Sequence, residues 1–96
     1  MIEIRIITTI GCEGCRIMEN IVNNVIKDIN YDEIEYSIYD FQNLDVDMLH
    51  FVNRYQVNDF PTTFIIKDNN VLNRIEGTVS KNTMIRYIDD ALCIVS

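Results

Sequence analysis

Thr8-Thr9-Ile10-Gly11-Cys12-Glu13-Gly14-Cys15-Arg16 is the stretch on which the reading of this 96-residue chain turns. Before it runs Ile2-Glu3-Ile4-Arg5-Ile6-Ile7, with Ile2, Ile4 and Ile6 on one face and Glu3 and Arg5 on the other, the period-two pattern of a strand. After it, Met18, Ile21, Val22, Val25, Ile26 and Ile29 recur at helical spacing, so a helix is expected from Cys12 to about Ile29. Two cysteines three apart therefore sit where a strand hands over to a helix. The first turn of a helix has backbone N–H groups without partners and carries a partial positive charge. A thiol placed there loses its proton more easily than a free one, and Cys12 holds that place. Cys15, one turn further in, is near enough to close a disulfide with it. The arrangement suits thiol–disulfide exchange, in which one thiolate attacks and its neighbour resolves the mixed disulfide.

Further along, Asn30-Tyr31-Asp32 breaks the helical pattern. Ile34, Tyr36 and Ile38 alternate with Glu35, Ser37 and Tyr39, which predicts a second strand ending at Asp40. Met48, Leu49, Val52 and Tyr55 predict a shorter helix around Asp45–Tyr55, capped near Asn43 or Asp45. Phe60-Pro61 then leads into a strand at Thr62–Lys67. Asp68-Asn69-Asn70 marks a tight turn, Val71–Glu76 returns as the hairpin partner, and Gly77 ends it. Ser80 can cap a last helix with Met84, Ile88 and Leu92 on one stripe. The order is βαβαββα. The crossovers make the first two strands parallel, and the turn makes the last two antiparallel.

Composition narrows the function. A hydrophobic content of 48% supports one compact core, so residues 1–96 are expected to form a single domain. No window of about 18 apolar residues exists. Glu3 and Arg5 interrupt the first apolar run and no small-residue cleavage site follows, so neither a membrane span nor a signal peptide is expected, and a cytoplasmic or other reducing location is the default. Eight Lys and Arg against fifteen Asp and Glu give a net charge of −7, which argues against nucleic acid or anionic lipid as main partner. Three cysteines fit a catalytic pair plus a spare. The spare, Cys93, is expected to be a buried small hydrophobe near the end of the last helix. Zinc needs four ligands, and only Cys93 and His50 remain beside the pair, with no ligand-like spacing. No metal or other cofactor is therefore expected. His50 is expected to be a surface residue or a partly buried packer, and Tyr31, Tyr36, Tyr39, Tyr55 and Tyr87 core and rim aromatics.

Three motifs in order, the CxxC after the first strand, Arg54-Tyr55-Gln56-Val57-Asn58-Asp59-Phe60-Pro61-Thr62, and Gly77-Thr78-Val79-Ser80 before the final helix, carry a resemblance. The chain resembles the thioredoxin-like superfamily over nearly its whole length. The resemblance implies an α/β thioredoxin-like fold, a four-stranded mixed sheet flanked by three helices. It implies that Pro61 is a cis-proline facing the disulfide and that Gly77 lines the same groove. The chain starts at the strand leading into CxxC, so the extra N-terminal strand and helix of full-length thioredoxins are not expected, and the frame is glutaredoxin-sized. It also departs from the pattern. The usual Trp-Cys-Gly-Pro-Cys is Gly11-Cys12-Glu13-Gly14-Cys15, and Ile6 stands where bacterial thioredoxins place a buried acid. Asp59-Phe60-Pro61 and a lone Gly77 replace the glutathione-holding elements of glutaredoxins.

The resemblance and the CxxC together point to a thiol–disulfide oxidoreductase that reduces protein disulfides. Cys12 and Cys15 are the expected catalytic pair, and Gly11, Glu13, Gly14, Phe60, Pro61, Thr62 and Gly77 the expected target-binding residues. Phe60 and Thr62 would offer backbone groups to an extended segment of the target. The expected partners are disulfide-bearing proteins and an external reductase like thioredoxin reductase, or glutathione; the expected state is a monomer. A glutathione-dependent reductase, a non-catalytic binding module and a metal carrier remain as alternatives.

Overall fold

The computed structural model describes residues 1–29 and 33–93. Its elements are β1 (Ile2–Thr8), α1 (Glu13–Ile29), β2 (Ile34–Asp40), α2 (Val46–Arg54), β3 (Thr62–Lys67), β4 (Asn70–Glu76) and α3 (Lys81–Cys93). The strands form one mixed sheet in the order β2-β1-β3-β4. β1 runs parallel to β2, with Ile4 opposite Tyr36, and antiparallel to β3, with Ile4 opposite Ile65. The βαβαββα order and the thioredoxin-like sheet expected from the sequence are those found. The helix break at Asn30-Tyr31-Asp32, and Tyr31 as an aromatic, lie outside the described residues.

The alternation in β1 divides the core between the two faces of the sheet. Ile2, Ile4 and Ile6 pack with Met18, Val22 and Val25 of α1 and Met84, Ile88 and Ala91 of α3. Ile7, pointing the other way, packs with Met48 and Val52 of α2 and with Phe64 and Ile66 of β3. Glu3 and Arg5 share that second face; the Arg5 guanidinium donates to Glu3 at 2.6 Å and lies 4.8 Å from the centre of the Phe51 ring. Burying an aliphatic side chain of this size contributes about 1.5–3 kcal/mol, so β1, which feeds both cores, is the keystone of the sheet. Among the described residues, no helix is long and apolar enough to cross a membrane.

The local signals also hold. Asp45 caps α2, its carboxylate accepting the Met48 N–H at 2.8 Å, and Ser80 caps α3 by accepting the Thr83 N–H at 3.2 Å. Asp68 and Asn69 both have positive φ, 50° and 69°, the conformation of a two-residue hairpin turn whose twist matches its strands. Three positions differ from expectation. Ala91 rather than Leu92 completes the buried stripe of α3, and Leu92 is only partly covered. Leu49 is exposed, because the stripe of α2 passes through Met48 and Val52 and leaves the next residue on the outer side. Cys93, expected to be buried, is an exposed free thiol two residues past Ala91, turned away from the sheet.

Candidate active site

Cys12 directly precedes the first residue of α1, and there a sulfur takes the place of a capping oxygen. The Cys15 N–H donates to Cys12 Sγ at 3.0 Å, the contact through which a Ser or Asp side chain would satisfy the third N–H of a helix. The two cysteines form a disulfide, with Cα atoms 5.2 Å apart. Cys12 remains partly accessible while Cys15 is 3% exposed, so the pair has an outer and an inner sulfur. Gly11 enters the helix with φ of 70°, a left-handed conformation that lets the chain turn sharply out of β1.

The other motifs converge on this point. A Cβ added to Gly14 would lie 3.5 Å from Pro61 Cδ and 3.2 Å from Thr78 Oγ1, so residues about 47 and 64 positions further along the chain close over the CxxC turn. The Phe60–Pro61 peptide bond is cis. The Gly77 N–H donates to the Pro61 carbonyl at 2.8 Å, and Gly77 has φ of 81°. Phe60 is half-buried. Thr62 is fully buried as the first residue of β3, and its hydroxyl donates to the Asp59 carbonyl. Gly11 and Glu13 are exposed beside Cys12. Of the expected target-binding residues, Gly14, Pro61 and Gly77 thus share one wall with the cysteines, and Thr62 lies behind it. A cavity of about 450 Å³ opens on another side of the pair, lined by Thr8, Thr9, both cysteines, Arg16 and Glu19 among others.

Sequence reasoning missed the loop that follows β2. Gln42 accepts the Ile10 N–H at 3.3 Å and donates to Thr9 Oγ1 at 2.6 Å, clasping the approach to Cys12. The Phe41 ring meets the Phe60 ring edge to face, 5.0 Å between centres. The signal was available: parallel neighbours end at the same edge of a sheet, so the loop after β2 has to flank the loop after β1. His50 and Cys93 are exposed and neither belongs to this constellation. Among the described residues, no three His, Cys, Asp or Glu side chains are grouped to hold a metal ion.

Comparison with known proteins agrees with this geometry. The family model for thioredoxin matches residues 8–90. In structure the chain is similar to thioredoxin-2 of the malaria parasite, at a TM-score of 0.80 and 18% identity, covering 94% of this chain and 82% of that one. It is also similar to Fasciola hepatica thioredoxin, at 0.75 and 21% identity over 93% and 79% of the two chains, and to thioredoxin from Trypanosoma brucei brucei, at 0.76 and 15% over 96% and 75%. No curated protein matches the sequence significantly. With a thioredoxin family model over most of its length and a paired CxxC at the mouth of the first helix, this chain belongs to the thioredoxin family of thiol–disulfide oxidoreductases.

Proposed function

We propose that this protein reduces disulfides in other proteins through a Cys12–Cys15 dithiol/disulfide cycle. The observation that carries the reading is the asymmetry of the pair: Cys12 is reachable and accepts a helix N–H at 3.0 Å, whereas Cys15 is 3% exposed. The attacking species is the thiolate, and the positive end of a helix stabilises it, so the outer sulfur is the better nucleophile. Cys12 thiolate attacks a target sulfur, forming a mixed disulfide and releasing the target's other sulfur as a thiolate. Cys15 thiolate then attacks Cys12 Sγ, closes the Cys12–Cys15 bond and frees the target as its second thiol. The two electrons come from the dithiol. A reductase like thioredoxin reductase restores it, with glutathione as the other candidate donor.

Phe60 is the residue whose backbone pairs with an extended target segment as a short added strand. Gly11 and Gly77 leave that segment room, Gly14 lets Pro61 and Thr78 close over the CxxC turn, Glu13 borders the segment, and Thr62 holds the Pro61 turn from behind. In this reading the protein acts as a monomer in a reducing compartment such as the cytoplasm, on disulfide-bearing proteins rather than nucleic acid or membrane, and without a resident cofactor. Trapping tests it. Cys15→Ser should accumulate mixed disulfides with target proteins, and Cys12→Ser should accumulate none. The unmodified protein should turn over a model protein disulfide when coupled to such a reductase. Oxidation of one dithiol per molecule with no further turnover would instead favour a binding module. Turnover driven by glutathione alone would assign the glutathione-dependent activity.

A further inference from the structure

We infer that Glu19 accepts the proton that Cys15 must lose before it can resolve the mixed disulfide. The inference rests on the dithiol cycle proposed above and adds a residue to it. Cys15 is 3% exposed, and burial disfavours a thiolate. Its thiol needs a nearby base for the resolving step. The strand that leads to the pair offers none, since Ile6 and Ile7 are apolar and fully buried. The cavity of about 450 Å³ beside the cysteines does. Of its lining side chains, Thr8 and Thr9 are neutral hydroxyls and Arg16 is a cation, which leaves the carboxylates Glu13 and Glu19.

Helix geometry chooses between them. Side chains on an α-helix lean toward its N-terminus, so a residue covers the turn that precedes its own Cα. Glu19, four residues after Cys15, leans back over it, whereas Glu13 comes before Cys15, is exposed and leans toward Cys12 and solvent. Glu19 is half-buried and, among the described residues, forms no ion pair, so its carboxylate is not engaged elsewhere. Its charge is felt at the sheet: Tyr36 of β2 has its phenol pushed up to about 12, first by burial and then by Glu19. The groups facing Glu19 are thus Tyr36 from the sheet and, one turn back on its own helix, Cys15 and Arg16, with Cys12 a further turn away at the helix mouth.

The step balances without another reagent. The Cys15 S–H bond breaks and its proton passes to a Glu19 carboxylate oxygen. The resulting thiolate forms the bond to Cys12 Sγ as the bond from Cys12 to the target sulfur breaks, and the electron pair leaves on that sulfur, which takes a proton from water. Glu19 returns its proton to solvent through the open side of the cavity.

The mixed disulfide of Cys12 with 5-thio-2-nitrobenzoate, formed at acid pH from the reduced protein and Ellman's reagent in a Cys93→Ala background that removes the exposed third thiol, tests this. After a jump to neutral pH, release of the coloured thiol reports the attack of Cys15 alone. Glu19→Gln keeps shape and helix propensity, and should slow that release about tenfold or more, the low end or below of what a positioned base contributes. Its rate of initial reaction with Ellman's reagent should stay within about twofold of the parent's, since that step belongs to Cys12. At alkaline pH, where Cys15 ionises unaided, the two release rates should converge. Equal release rates at neutral pH would overturn the assignment, as would equal slowing of both steps or a gap that persists at alkaline pH. A parent that releases no thiol after the jump would overturn it together with the dithiol cycle.

Discussion

Cys12 occupies a position where an oxygen is the common residue choice, and that substitution connects a structural role to a chemical one. In the oxidised protein its sulfur satisfies an otherwise orphaned helix N–H, at 3.0 Å; in the reduced protein the same N–H group faces whatever charge the sulfur carries. Alkylation of the reduced protein, mapped by mass spectrometry, should therefore label Cys12 well before Cys15, with a midpoint below the free-thiol value of about 8.5. Earlier labelling of Cys15 would reverse the roles. Tyr36 shows a different residue-scale economy. Its hydroxyl is buried with no hydrogen-bond partner among the described residues, and its phenol is raised to about 12. Because the folded value exceeds the unfolded value of about 10, stability is unaffected below that value and falls as pH rises toward the folded one. Tyr36→Phe should leave stability at neutral pH unchanged or raise it by up to about 1 kcal/mol, and should flatten the alkaline decline. Urea midpoints measured against pH for both proteins check this, and a neutral-pH loss would mean that the hydroxyl has a partner. The reactive pair was legible in sequence because its chemistry is local. The exposure of Cys93 was not, since its side of α3 depends on where Ala91 meets the sheet.

At the scale of elements, the chain's punctuation is written in single residues. Asp45 and Ser80 start helices, and Asp68 and Asn69 turn the hairpin, all through short polar side chains that a reader of the sequence can recognise. Gln56 is the exception. It follows the last turn of α2 with φ of 50°, a left-handed conformation for which a branched backbone carbon costs about 1–2 kcal/mol, and nothing about a glutamine announces it. The conformation is held from outside: the Arg74 guanidinium of β4 donates to the carbonyls of Tyr55 and, at 3.1 Å, of Gln56. Gln56→Gly keeps both acceptors and removes the strain, so it should raise stability by up to about 1 kcal/mol, read as a higher urea midpoint with unchanged slope. A drop would show that the side chain contributes more than the strain costs. The loop at Phe41 and Gln42 was missed for another reason: its role follows from the parallel pairing of β1 and β2 rather than from its own composition.

The whole molecule is a sheet with a core on each face, and it is small enough that one side chain matters to all of it. Phe64 is fully buried at the centre of the second core, 4.8 Å from the Phe51 ring and 5.4 Å from that of Tyr55. Phe64→Ala should cost about 3–5 kcal/mol, a large share of the 5–15 kcal/mol typical of a folded domain. A urea titration followed by circular dichroism measures the loss, and a cost below about 1 kcal/mol would mean that the core collapses around the gap. Sequence periodicity identified the hydrophobic faces of the elements because these repeat at the spacing of each element, but it led to one compact core, and the division into two became visible only with the sheet. The site needed three dimensions, since it joins a turn at residues 12–15 to residues 60–78 across the sheet. That distance along the chain has a practical side. Both sulfurs lie in the first half of the polypeptide, and the proline, Gly77 and Thr78 that cover them lie in the second, with the exposed residues Phe41, Gln42 and Asn43 between. A nick in that loop would leave one fragment holding a bare dithiol and the other holding its shield. Shielding of Cys15 from a bulky maleimide would then report that the fragments had found each other, making the domain a two-piece sensor of its own reassembly.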